Sequence, residues 1–104
     1  MSFAENLKKL PGISHLAAVN LLDKDENLVA TIENKPGKSG SLTLYAALAA
    51  KHGSINVAAA QEGLELFAEH TADARAHPGS HPNVDRLFDV INSGQALAVK
   101  LIPV

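Results

Sequence analysis

The stretch Ile13-Ser14-His15-Leu16-Ala17-Ala18-Val19-Asn20-Leu21-Leu22-Asp23-Lys24-Asp25-Glu26-Asn27-Leu28-Val29-Ala30-Thr31-Ile32-Glu33 decides the fold. Ile13 to Leu22 is rich in Val, Leu and Ile and reads as a strand. Asp23 to Asn27 is a polar turn. Leu28 to Glu33 then alternates, with Leu28, Ala30 and Ile32 on one side and Val29, Thr31 and Glu33 on the other. Two such runs joined by a short polar loop form a β-hairpin.

Working outward, the N-terminal side predicts a short helix. Ser2 is its N-cap and Glu5 follows three residues later, the spacing of a capping box. Phe3, Leu7 and Leu10 give it one apolar side, and Pro11-Gly12 stops it. On the C-terminal side, Asn34-Lys35-Pro36-Gly37-Lys38-Ser39-Gly40-Ser41 is a loop punctuated by Pro and Gly. A helix from about Leu42 to Lys51 is apolar nearly all round, which predicts burial on several sides. The longest helix is expected over Ile55 to His77, capped by Ser54, with Val57, Ala60, Leu64, Phe67, Ala68 and Thr71 on its inner face. Pro78-Gly79 ends it. Pro82 fits the first position of a third helix in this run, capped by His81 or Ser80, with Val84, Leu87, Phe88 and Ile91 facing inward. Ala96 to Val104 alternates again and supplies a last strand. The order αββαααβ, a hairpin plus one returning strand, implies an α+β fold: a small antiparallel three-stranded sheet packed against helices.

The chain's 104 residues form a single domain, 1–104, with 46% apolar and 19% charged residues, an ordinary globular composition. Net charge is −2 with no long basic run, which argues against a nucleic-acid surface. No apolar run approaches the ~18 residues of a membrane helix. The N-terminus lacks the apolar centre of a signal peptide, so a cytoplasmic protein is expected. The absence of cysteine removes disulfides, thiolate metal sites and cysteine nucleophiles. The serines fall mostly at caps and loops, and no nucleophile–base constellation emerges.

Two segments carry candidate chemistry. The first runs from His70 to Arg86 and holds three of the five histidines. At about 100° per residue, His70, Asp73 and His77 lie within about 60° of one another on one helical stripe. If the Pro78-Gly79 corner folds back, His81 and Asp85 join them. Imidazoles with a carboxylate make a ligand set for a divalent transition metal such as zinc, iron or nickel. Arg75 and Arg86 are then placed to orient an anionic ligand. Each residue also has a structural account. His77 and Arg75 suit a helix C-terminus, His70 and Asp73 can pair at i, i+3, and His81 can cap the next helix.

The second segment is the loop before the first long helix. Gly37-Lys38-Ser39 imitates the end of a Walker A loop, but the glycine that pattern needs five residues earlier is Ile32, so a P-loop is rejected. Lys35, Lys38, Ser39, Gly40 and Ser41 at a helix start remain an anion- or nucleotide-binding candidate. His15 and His52 look isolated.

The segments 32–41 and 62–75, continuing through His77-Pro78-Gly79 and His81-Pro82-Asn83, resemble a small bacterial family of uncharacterised single-domain proteins, a domain of unknown function. The resemblance implies a bacterial cytoplasmic origin and transfers no mechanism. Three functions stay open: a non-enzymatic interaction or regulatory module that self-associates as a homo-oligomer, a metal-binding protein or small metalloenzyme, and an anion or nucleotide binder. The Ala-rich helices, which permit close packing, favour the first.

Overall fold

A computed structural model describes residues 2–104. Its elements follow the order α1 (Phe3–Leu7), β1 (Leu16–Leu22), β2 (Leu28–Glu33), α2 (Ser39–His52), α3 (Val57–Phe67), α4 (Glu69–Ala76), α5 (Pro82–Ser93) and β3 (Ala98–Pro103). The fold is α+β. The sheet is antiparallel with strand order β2-β1-β3, so the returning C-terminal strand pairs with β1 and the hairpin leaves β2 at an edge.

The hairpin forms as its alternation predicts, with Val19 opposite Ile32 and Leu21 opposite Ala30. Those inward residues meet α2, whose Leu42, Leu44, Tyr45 and Leu48 are buried. Strand β1 starts at Leu16 rather than Ile13, because Ile13 and its neighbours form the turn that leads in from α1. The capping box at Ser2 and Glu5 is present. Pro82 opens α5 with His81 at the cap position, and that helix buries Val84, Leu87 and Val90. Gly63 sits where α3 crosses its neighbours: a Cβ there would lie 2.7 Å from Leu87 Cδ1 and 3.0 Å from Leu48 Cδ1.

The helix expected over 55–77 is corrected in two places. Ile55 pairs with Leu97 in an isolated β-bridge, and the N-cap is Asn56, whose side chain accepts from the Ala59 amide at 2.8 Å, not Ser54. The helix then breaks at Ala68, whose φ of 52° and ψ of −113° are left-handed and non-helical. The Ala68 amide donates to the Glu65 carbonyl, one residue tighter than in an α-helix, so the Leu64 carbonyl loses its regular partner. The Thr71 hydroxyl donates to it instead at 2.5 Å. Helix α1 closes over this break. Asn6 donates its side-chain amide to the Leu66 carbonyl at 3.0 Å, and the Glu69 carboxylate accepts from the Phe3 amide at 2.7 Å. The Phe3 ring stacks on Phe67 with centroids 5.3 Å apart. Its approach requires Gly40, where a Cβ would come within 3.1 Å of Phe3 and Leu7.

Candidate functional site

The break at Ala68 redirects α4, and the Pro78-Gly79 corner turns the chain back so that α5 begins beside it. The corner does return His81 to the helical stripe. His81 Nε2 lies 2.6 Å from Asp73 Oδ2, and its ring centroid is 5.0 Å from that of His70. His70 in turn meets Phe3 edge-on at 4.8 Å. A carboxylate hydrogen bond at this distance fixes the orientation of an imidazole.

The rest of the histidine segment diverges. His77 is 4.0 Å from Asp73 Oδ1 and its side chain is 72% exposed, so it sits at the periphery. Asp85 accepts from the Gly79 amide at 3.0 Å and secures the corner. Arg75 packs over the Phe88 ring at 5.2 Å, on the exposed side of α4. Ser80 donates its hydroxyl to the His77 carbonyl at 2.7 Å. Among the described residues, no group of three His, Asp or Glu side chains is disposed to hold a metal ion. His52, which looked isolated, shares Glu62 with Lys51, at 3.0 Å and 2.8 Å respectively. That cluster lies between α2 and α3 and is a helix-to-helix tie.

His70 and His81 form one wall of a cleft of about 650 Å³. Gly37 to Ser41, the loop and first turn of α2, line it as well, so the two candidate segments of the sequence border the same space. Thr31 and Ile32 of β2 border it at one end, and Phe3 and Phe67 supply an apolar part. Asn83 and Arg86 complete it from α5. Lys35, which was grouped with Lys38, lies outside the lining and pairs with Glu33 at 2.9 Å.

Arg86 was paired in the sequence with Arg75, but only Arg86 borders the cleft. Its Nη1 donates to Asn83 Oδ1 at 2.7 Å and to the Tyr45 hydroxyl at 3.2 Å. The guanidinium carbon lies 5.7 Å from the Tyr45 ring centroid. Tyr45 is fully buried and donates to the Asn83 carbonyl at 2.6 Å. Burial pushes its hydroxyl up to about 12, against a smaller opposing pull from Arg86. Arg86 has no carboxylate partner among the described residues, so only neutral oxygens meet its charge. In the sequence Tyr45 falls within an apolar helix. The one clue to this second role is that a buried tyrosine hydroxyl needs a partner.

Residues 3–101 match a family described as an uncharacterised protein conserved in bacteria, DUF2322, and the chain belongs to that family. No curated protein and no solved structure matches it.

Proposed function

We propose that this member of the family is a binding module for a small organic anion, held in the cleft between the 37–41 loop and the start of α5. One observation carries the reading. The protein has 11 acidic and 9 basic residues, yet the charged and titratable residues that line the cleft are Lys38, His70, His81 and Arg86, with no carboxylate among them. A concave site whose ionisable lining is all basic lowers the free energy of a bound anion and disfavours a cation. The Ser39 amide is taken by the Lys35 carbonyl, and the Gly40 and Ser41 amides in the first turn of α2 have no acceptor inside the helix and add donors to the cleft.

The volume fits a ligand of metabolite size, since such sites span roughly 300–1,000 Å³. Phe3 and Phe67 offer an apolar surface to the body of the ligand, while Arg86 and Lys38 take its charged end. Arg86 suits a planar carboxylate or a phosphate, because its fork donates two parallel hydrogen bonds. Asp73 is the support for His81 and lies outside the lining, so it orients an imidazole without adding a negative wall.

Calorimetry with inorganic phosphate, a nucleoside monophosphate and an aromatic carboxylate tests the proposal on the full chain. Binding by at least one of these probes, weakened about tenfold or more in Arg86→Met and Lys38→Met, is the expected result. A tenfold loss is about 1.4 kcal/mol, close to the low end for one charge-assisted hydrogen bond. No heat with any probe at millimolar concentration overturns the anion reading. Zinc binding that needs His81 and Asp73 would overturn it in favour of a metal centre.

A further inference from the structure

We infer that the exposed edge of β2 is the site of self-association, where a second copy of this chain pairs its own β2 antiparallel about a two-fold axis and continues the sheet across both molecules. The inference rests on the sheet edges and their flanking charges, independently of the cleft.

The two edges of the sheet are treated differently. Edge strands expose unpaired backbone groups, and proteins protect them with lysine, proline or bulges. Strand β3 has both devices, Lys100 in its middle and Pro103 at its end. Strand β2 has neither lysine nor proline, and its register shift at Val29, where Leu21 pairs with Ala30 but Leu22 with Leu28, leaves Ala30 to Glu33 in regular pairing. Leu28 to Ile32 contains no charge and no proline, and Leu28 and Val29 are 59% and 49% exposed. The Asn34 amide donates to the Ala17 carbonyl, which extends the β1–β2 ladder one step beyond the Ala18–Glu33 pair. Because the ladder alternates, the backbone N–H and C=O of Thr31 point away from β1 to the open side.

Charge selects the partner and its direction. The turn that precedes β2 holds Asp23, Asp25 and Glu26 against a single Lys24. The loop that follows β2 holds Lys35 and Lys38. Asp23 is engaged with the amides of Asp25 and Asn27, at 2.9 Å each, whereas Asp25 and Glu26 make no ion pair among the described residues. Antiparallel pairing centred on Thr31 places Ala30 opposite the partner's Ile32 and carries the irregular Leu28–Val29 end past the partner's Glu33. It also brings Lys35 beside the turn at Glu26 and Asn27 of the other copy. The acidic end meets the basic end twice, once at each end of the paired strands. Parallel pairing would set like charges together and is disfavoured. A second copy therefore supplies what the edge lacks: a strand of matching length, apolar at Leu28 and Val29, with its charges reversed end for end.

Light scattering on the full chain over a concentration series, at low salt, is the test. The expected result is a mass that rises from one chain to two. Thr31→Pro removes the outward amide without touching the β1 side of the ladder, and should hold the chain monomeric at concentrations where the parent is dimeric. Val29→Lys, at an exposed position, repeats the test without altering the backbone. Lys35→Glu should weaken the dimer about tenfold, and combining it with Glu26→Lys should restore most of the loss. A parent that stays monomeric up to millimolar concentration overturns the inference and leaves the edge to a strand from another protein. A dimer unaffected by both Thr31→Pro and Val29→Lys places the interface elsewhere and overturns it equally.

Discussion

Two buried hydroxyls hold the parts of the molecule that the sequence pattern alone leaves unexplained. Thr71 falls on the inner face by its spacing, and its hydroxyl replaces the missing helical partner of the Leu64 carbonyl. Thr71→Val keeps the shape and strands that carbonyl, so a loss of about 1–2 kcal/mol is expected, read as a lower urea midpoint. An unchanged midpoint would show that the carbonyl finds another donor. Tyr45 gives a dependence on pH. Its hydroxyl, raised to about 12 by burial, stays protonated in the folded chain at pH values where the unfolded chain, near 10, has already ionised. The stability it contributes is complete below pH 10 and falls as pH rises from 10 through 12, by about 3 kcal/mol in total. Urea unfolding of the parent and of Tyr45→Phe at pH 9 and 11.5 should show a steeper decline in the parent. Parallel declines would assign the alkaline loss to other groups.

At the scale of elements, the hairpin, the capping box and the Pro82 start of α5 were legible because each rests on local chemistry: alternation, a cap spacing and a missing amide. The break at Ala68 was not. Residues 57–77 contain no proline, and their one glycine, Gly63, lies in mid-helix away from the break. The interruption comes from tertiary packing, since Asn6, Phe3 and Glu69 join α1 to both sides of it. An L-residue with φ of 52° carries strain that glycine avoids. Ala68→Gly should therefore raise stability by about 1 kcal/mol, whereas Ala72→Gly, in exposed helix, should lower it by about 1 kcal/mol. Thermal melts of the pair decide this, and a loss in both would mean that Ala68 is relaxed. Helices α1 and α4 are the weakly held helices of the fold. The first buries no residue and the second only Thr71 and Ala74, while β1 is central and paired on both sides. Hydrogen exchange should be faster at the α1 and α4 amides than in α2 or α3, and slowest in β1.

For the whole molecule, the candidate site was legible in its parts and hidden as a unit. The Lys38 loop and the His81 corner were each visible from residue types, but their meeting depends on α2 leaving the sheet edge where α5 begins. No spacing along the chain encodes that. For the same reason Arg75 and Arg86 looked equivalent in sequence, although α4 and α5 send them to different surfaces. A ligand in this cleft touches segments from β2, α2, α4 and α5, so its binding stabilises only the folded chain. At a hundred times its dissociation constant it should add about 2.7 kcal/mol, seen as a rise in melting temperature. A bound ligand that left the melting temperature unchanged would place its contacts on a single local segment.

The acid-free cleft also bears on how fast an anion arrives and leaves. The molecule carries a net charge of −2 and measures 31 × 31 × 23 Å, so an approaching anion first meets repulsion from the whole and then attraction from the cleft. At ~0.01 M salt the screening length is about 30 Å, comparable to the protein, and the repulsion is felt throughout the approach. At ~0.1 M it falls to about 10 Å, which removes the distant carboxylates and spares Lys38 and Arg86 at contact. Stopped-flow rates should therefore show association little slowed, or quickened, between these salt concentrations, while dissociation accelerates. Capture would be set by the cleft and not by the charge of the chain.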